Sequence, residues 1–308
     1  MSELPRRTLG RTGLQVTTLG YGAMELRGAP SGPAVADATA EKVLNAVLDA
    51  GINFIDTSID YGQSEELIGR FIAHRRREYF LASKCGCVPG APMGAEHVHT
   101  ADNIKAGVEQ SLRRMKTDYL DLVQFHRSLT RQELEEHGAL DAALALKKEG
   151  KVRFLGVSGT LPNLVEQIGM GVFDAFQIPY SALQREHEEI ISRAGAAEAG
   201  IIIRGGVARG APNDWQRTYY MLPGDSLRER WEKARLDDLL HGLSPLEFTL
   251  RFTLSNPDLD TTIVGTRDAG HLHDNIDAAL KGPLPESVVE EAKRRLAEAG
   301  SRPAHSTD

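Results

Sequence analysis

The sequence predicts an α/β fold, a (β/α)8 TIM barrel with an N-terminal β-hairpin and long carboxyl-face loops, in one domain across residues 1–308. Three observations lead there. Eight short apolar runs, near 19–22, 52–55, 79–83, 120–125, 152–157, 173–177, 201–203 and 261–264, alternate with stretches of helical periodicity. Three of these runs lead into a reactive polar side chain, Asp56, Lys84 or His126. Parallel strands gather such ends on one face, where active sites form. Finally, Gly20-Tyr-Gly22 does not supply the G-x-G-x-x-G that a doubly wound dinucleotide-binding sheet would normally place after its first strand.

In chain order, Arg7 to Gly10 and Gly13 to Leu19 read as two short strands around an Arg-Thr-Gly turn. A helix over 38–50 places Val43, Leu44, Val47 and Leu48 on one side and stops at Gly51. Further helices fit 64–73, 102–115, 131–148, 161–168, 186–199, 227–240, 244–254, 268–280 and 286–299. Ser64 ahead of Glu65-Glu66 and Thr130 ahead of Glu133 look like caps, Gly150 and Gly200 like stops, and Ser244-Pro245 like a helix opening. Two segments exceed what a plain barrel needs. Residues 85–100 hold two Pro and three Gly, and residues 205–226 include Trp215, Tyr219 and Tyr220. Long loops at the carboxyl face are expected to shape the ligand pocket. Residues 301–308 read as a frayed tail.

Composition excludes some functions. A net charge of -7 lacks the basic footprint of a general nucleic-acid binder, though not a local anion pocket. Cys85 and Cys87 are the only cysteines, so no disulfide framework is expected, and a reducing, cytoplasmic setting fits. No uncharged apolar run approaches ~18 residues, so neither a signal peptide nor a membrane span is expected.

Tyr61, Lys84, Asp56 and His126 could form an acid-base set. A phenol is a poor acid-base catalyst at neutral pH unless a cation favours its phenolate, and Asp56 could hold Lys84 for that purpose. His126 could add a hydrogen bond where oxyanion charge develops. None of the four is a convincing nucleophile. From spacing alone, an Asp or Lys ending a buried strand is as readily a cap or a salt bridge. Cys85-x-Cys87 followed by His97-x-His99 is not a common zinc spacing, so no metal is expected and the loop reads as solvated or pocket-lining.

The stretch from Asp56 through Tyr61-Gly62 to Glu65, together with Ser83-Lys84, Gln124-Phe-His126, Gly156-Val-Ser158, Gln177-Ile-Pro-Tyr180 and Gly265-Thr-Arg267 with Leu272 and Asn275, resembles the aldo-keto reductase family over nearly the whole chain. That resemblance implies NAD(P)H-dependent reduction of aldehydes or ketones, with Tyr61 as general acid, Lys84 and Asp56 tuning it, and His126 orienting a small-molecule carbonyl substrate. It implies a cofactor extended over the barrel's carboxyl face, NADP(H) preferred and NAD(H) possible. Gly22 and Met24 would line the nicotinamide end, Ser158 and Gln177 would hold the carboxamide, and Tyr180 would stack on the ring. Asp56 belongs to both sets.

Two positions depart from the family's usual pattern. Gly159 follows Ser158 where Asn is usual. Arg204-Gly205-Gly206 replaces a small residue and Ser-Pro-Leu, and Arg204, helped by Arg209, is expected over the cofactor's phosphates. Gly265, Thr266 and Asn275 fall at the adenosine end. His271 stands where an Arg commonly meets the 2′-phosphate, with Arg267 one turn earlier. The alternatives are an NAD-linked sugar or polyol dehydrogenase and a weakly catalytic, cofactor-sensing binding protein. Oligomeric state is not legible.

Overall fold

The computed structural model describes residues 3–210 and 224–304, without the side chains of Arg209 and Asp225. Trp215, Tyr219 and Tyr220 lie outside the described residues. Strands β1 (Arg6–Thr8) and β2 (Gln15–Thr17) form the expected antiparallel hairpin, Arg6 facing Thr17. Eight parallel strands follow: β3 (Leu19–Gly22), β4 (Phe54–Asp56), β5 (Phe80–Cys85), β6 (Leu120–Phe125), β7 (Val152–Ser158), β8 (Ala175–Pro179), β9 (Gly200–Arg204) and β10 (Thr261–Val264). They pair in sequence order, and β10 closes the barrel against β3.

The α-helices of the described residues are α1 (Asp37–Asp49), α2 (Ser64–Phe71), α3 (Ala101–Met115), α4 (Arg131–Glu135), α5 (Ala139–Lys148), α6 (Leu164–Gly169), α7 (Glu188–Ala196), α8 (Gly224–Lys233), α9 (Pro245–Leu254), α10 (Ala269–Leu280) and α11 (Glu286–Glu298), with short 3-10 turns between some of the elements. The larger core lies between barrel and helices; α1, for instance, gives it Ala40, Val43, Leu44, Val47 and Leu48. Each such Val or Leu adds about 1.5–3 kcal/mol by burial. A second cluster fills the barrel itself, where Leu9, Leu14 and Val16 of the hairpin region meet Phe54, Ala82, Leu122, Ala175 and Ile202. The hairpin therefore plugs the floor, and the opposite mouth remains for chemistry.

Most strand and helix ends fall within two residues of expectation, and the departures have local causes. The helix expected over 131–148 is two helices, because Gly138 takes φ +68° and bridges to Thr100. Thr130 forms the capping box with Glu133 as expected. Ser64 is not a cap: it lies inside α2, where its Oγ donates to the Ala23 carbonyl. Gly200 is a strand residue, not a helix stop, and a Cβ there would stand 2.7 Å from Leu9 Cγ. The helix expected over 227–240 breaks at Arg235, φ +48°, into a 3-10 turn over Leu236–Leu239. No helix among the described residues is long and apolar enough to cross a membrane.

One buried histidine gives the fold a pH dependence. His187, immediately before α7, accepts a hydrogen bond at Nε2 from the Leu161 amide, 3.3 Å. Burial lowers its pKa from 6.5 to about 4, with Glu186 pulling the other way. The unfolded chain then takes up this proton first, so stability present above about pH 6.5 is lost as pH falls toward 4. His187→Gln keeps an acceptor without the titration and is expected to flatten the decline of Tm across that window. Calorimetric scans at stepped pH check this; an unchanged slope would assign the acid loss to other groups.

Candidate active site

The period of two along a strand builds the site directly on the barrel core. Phe54, Ala82, Leu122, Ala175 and Ile202 face inward as an apolar layer. Two residues further along the same five strands stand Asp56, Lys84, Gln124, Gln177 and Arg204. Register keeps them level, with Lys84 beside Gln124, and Ser158 beside Gln177.

Asp56 is the hub of this polar layer. Its Oδ2 accepts from Lys84 Nζ at 2.6 Å, and its Oδ1 accepts from Gln124 Nε2 and Gln177 Nε2, both at 2.8 Å. Lys84 also donates to the Thr57 carbonyl, 2.8 Å, and Ser158 Oγ donates to Gln177 Oε1, 2.9 Å. Both side chains of the ion pair are almost wholly buried, which fixes the ammonium in place. Lys84 Nζ lies 5.0 Å from the centre of the Tyr61 ring. Gly62 explains the turn that brings Tyr61 there: it takes φ +47°, and a Cβ would come 2.1 Å from the Arg27 carbonyl oxygen. His126 packs edge-on to Tyr61, ring centres 5.8 Å apart. The structure thus brings together all four residues of the expected acid-base set.

Their protonation follows from surroundings. Burial raises the pKa of Tyr61; Lys84 and Arg204 pull it back without cancelling the rise, and Asp56 and Asp60 add to it. The phenol is therefore a proton carrier at neutral pH. Burial would depress Lys84, but Asp56 outweighs it with help from Tyr61, so its pKa lies above the ordinary value. His126 is held well below 6.5 by burial and then by Lys84, His97 and Arg204, so it is a neutral imidazole.

A cleft of about 570 Å³ opens above this layer. Of the residues expected around a cofactor, Gly22, Met24, Asp56, Gln177, Arg204, Gly205, Gly265, Thr266, Arg267, His271 and Asn275 line it, as does Tyr61. Ser158 stands behind Gln177. Tyr180 corrects the expectation that it stacks in the cleft: it is 1% exposed, and its ring lies against Phe252 at 6.3 Å. Gly206 serves packing, since a Cβ there would sit 2.3 Å from Thr262 Oγ1. Arg204 is close enough to Tyr61 and His126 for its charge to bear on both, which sets it at the Tyr61 end of the cleft. Arg209 belongs to a short 3-10 turn, Ala208–Gly210, and its side chain is outside the described set.

Sequence reasoning missed Gln124 as a site residue, although it stood in a quoted motif. It also missed Glu25, Gln184, Asp268 and Asp274 in the cleft wall, which carry no motif of their own. The wall suits a dinucleotide. Arg267 Nη1 and Asn275 Oδ1 are buried there without hydrogen-bond partners, one donor and one acceptor. The Gly265 backbone approaches Gly22 so closely that a Cβ would meet its carbonyl oxygen at 2.6 Å. Asp268 caps α10, accepting from the amides of Gly270 and His271 at 2.8 and 3.0 Å.

The sequence model described as "Aldo/keto reductase family" matches residues 18–296. The chain is 29% identical to "Uncharacterized oxidoreductase YqkF" of Bacillus subtilis, over 92% of this chain and 94% of that protein. It is 31% identical to "Aldo-keto reductase str7" of Strobilurus tenacellus, over 97% and 94%. Among solved structures, the holo form of aldo-keto reductase AKR11C1 from Bacillus halodurans superposes with a TM-score of 0.81 at 27% identity, covering 95% of this chain and 96% of that one.

Proposed function

We propose, on the premise that this chain belongs to the aldo/keto reductase family and is an NAD(P)H-dependent oxidoreductase, that it reduces aldehydes or ketones to alcohols with NADPH. The observation that supports this best is the buried Asp56–Lys84 pair, 2.6 Å, beneath the Tyr61 ring. The reduced nicotinamide supplies hydride when bound. The chain's own residues do the rest. Tyr61 Oη gives its proton to the carbonyl oxygen as that oxygen gains charge. Lys84 stabilises the phenolate left behind, and Asp56 keeps Lys84 charged and centred. His126, neutral, donates a hydrogen bond to the same oxygen. Gln177 and Ser158 position the carboxamide, and Gly22, Met24, Gly205, Gly265, Thr266 and Asn275 line the rest of the cofactor's path. A phenol whose pKa lies above the ordinary value is a donor rather than a base at neutral pH, which favours the reductive direction over dehydrogenation of a sugar or polyol.

Arg267 favours NADPH. Its unpartnered Nη1 offers a charged donor to the 2′-phosphate, whereas His271 beside it is exposed. Loss of a charged hydrogen bond costs about 1.5–3 kcal/mol, so Arg267→Ala is expected to raise the NADPH KM roughly 10–100-fold and leave the NADH KM nearly unchanged. Parallel steady-state assays of 4-nitrobenzaldehyde reduction with each cofactor test both parts. Cofactor binding without turnover on any carbonyl would instead favour a cofactor-sensing role. A wild-type preference for NADH would move the reading to an NAD-linked dehydrogenase, for which Asp268 and Asp274 in the same wall would be the relevant charges.

A further inference from the structure

We propose that a divalent cation of the zinc class binds beside the catalytic pocket, held by Asp60, Cys87, His97 and His126. The four come from three separate segments: the loop after β4, the loop after β5, and the end of β6. Each offers one ligand atom, and all four atoms lie within 4.8 Å of one another. Cys87 Sγ stands 3.1 Å from His126 Nδ1, and Asp60 Oδ1 stands 3.5 Å from the same nitrogen. Zinc bonds of about 2.0–2.3 Å put tetrahedral ligand atoms roughly 3.3–3.7 Å apart. Two edges are therefore near their final length, and the widest closes by about 1 Å, within reach of side-chain rotation.

The donor set fits the ion. Two imidazoles, one thiolate and one carboxylate are borderline-soft ligands of the zinc type. On binding, Cys87 loses its thiol proton to solvent as the sulfur–metal bond forms. The two negative charges then balance the cation in a partly buried site. Ser58 Oγ donates to Asp60 Oδ1 at 2.5 Å and so orients the carboxylate. His97 is the residue that hydride transfer leaves unexplained. Both its ring nitrogens are buried without a partner, and its ring meets His126 edge-on at 5.1 Å. Lys84, Arg127 and Arg204 oppose a cation here, which makes the thiolate essential to the balance. Ligation through Nδ1 leaves the His126 ring proton on Nε2, so an occupied site fixes one tautomer.

From the sequence, the spacing of Cys85-x-Cys87 and His97-x-His99 gives no expectation of a metal. His99 stacks on His97 at 6.1 Å, and Cys85 is fully buried; neither belongs to the cluster. The site does not depend on the reaction proposed above, and its test reads the metal directly. Chelator-stripped full-length protein titrated with Co²⁺ should take up one equivalent per chain, with intense tetrahedral visible bands and a thiolate-to-cobalt charge-transfer band, and one equivalent of Zn²⁺ should displace it. Cys87→Ser should abolish the charge-transfer band. His97→Gln should weaken uptake roughly tenfold or more. His99→Gln and Cys85→Ser should keep both signals. Should the Cys87 or His97 variant fail to fold, the charge-transfer band of the unmodified chain still reports the thiolate. Absence of saturable uptake overturns the proposal, as does uptake without a thiolate band or uptake indifferent to both substitutions.

Discussion

Tyr61→Phe is expected to cut carbonyl reduction by roughly 10²–10⁴-fold, the usual worth of a positioned general acid. NADPH affinity should hold within a few-fold. The substitution removes one oxygen and keeps the ring, so the ring's contact with the Lys84 ammonium, 5.0 Å, and its edge-on packing with His126 survive. What is lost is the proton donor. Because the phenol's pKa is raised, the wild-type reductive rate should stay level through neutral pH and fall only on the alkaline side. Any oxidative rate should rise with pH in the same range. Stopped-flow hydride transfer separates the chemical step from cofactor release. A Phe variant within tenfold of wild type would give the proton-donor role to another group, and the neutral imidazole of His126 would be the first to test.

Much of this site was legible because barrel strands obey a period of two. Once Phe54 and Ile55 read as a strand entering the core, Asp56 had to face the same way as Phe54, and Lys84 the same way as Ala82. The same rule could have corrected Tyr180. Gln177 faces into the barrel, so a residue three positions on does not share its side, and Tyr180 joins Phe176 and Ile178 in the outer core against Phe252. Motif resemblance outweighed parity there. Other features depend on contacts between distant segments. The break at Gly138 is set by its bridge to Thr100 across the 85–100 loop, and Gly206 is small because Thr262 of a neighbouring strand leaves no room. The Asp60, Cys87, His97 and His126 cluster belongs to this class too. Its members come from three separate segments, so the local spacing of Cys85-x-Cys87 and His97-x-His99, from which no metal is expected, carries no sign of Asp60 and His126 beside them.

Asp56→Asn is expected to cost the most stability of any single change in the polar layer. The carboxylate accepts three donors, and an amide cannot replace it in either orientation. With its oxygen turned to Lys84, its NH2 faces the NH2 groups of Gln124 and Gln177; with its oxygen turned to them, its NH2 faces an ammonium. Breaking a buried pair from one side costs about 3–5 kcal/mol, readable as a lower Tm and a lower urea midpoint. Reductase activity should fall at the same time, since Lys84 loses the charge that holds it under Tyr61. The double variant Asp56→Asn with Lys84→Met separates the two effects. Removing both charges leaves no isolated ion, so much of the lost stability should return. The rate should not return, because the phenolate would have no cation to stabilise it. Recovery of rate together with stability would make the pair a structural tie and leave the tuning of Tyr61 to Arg204.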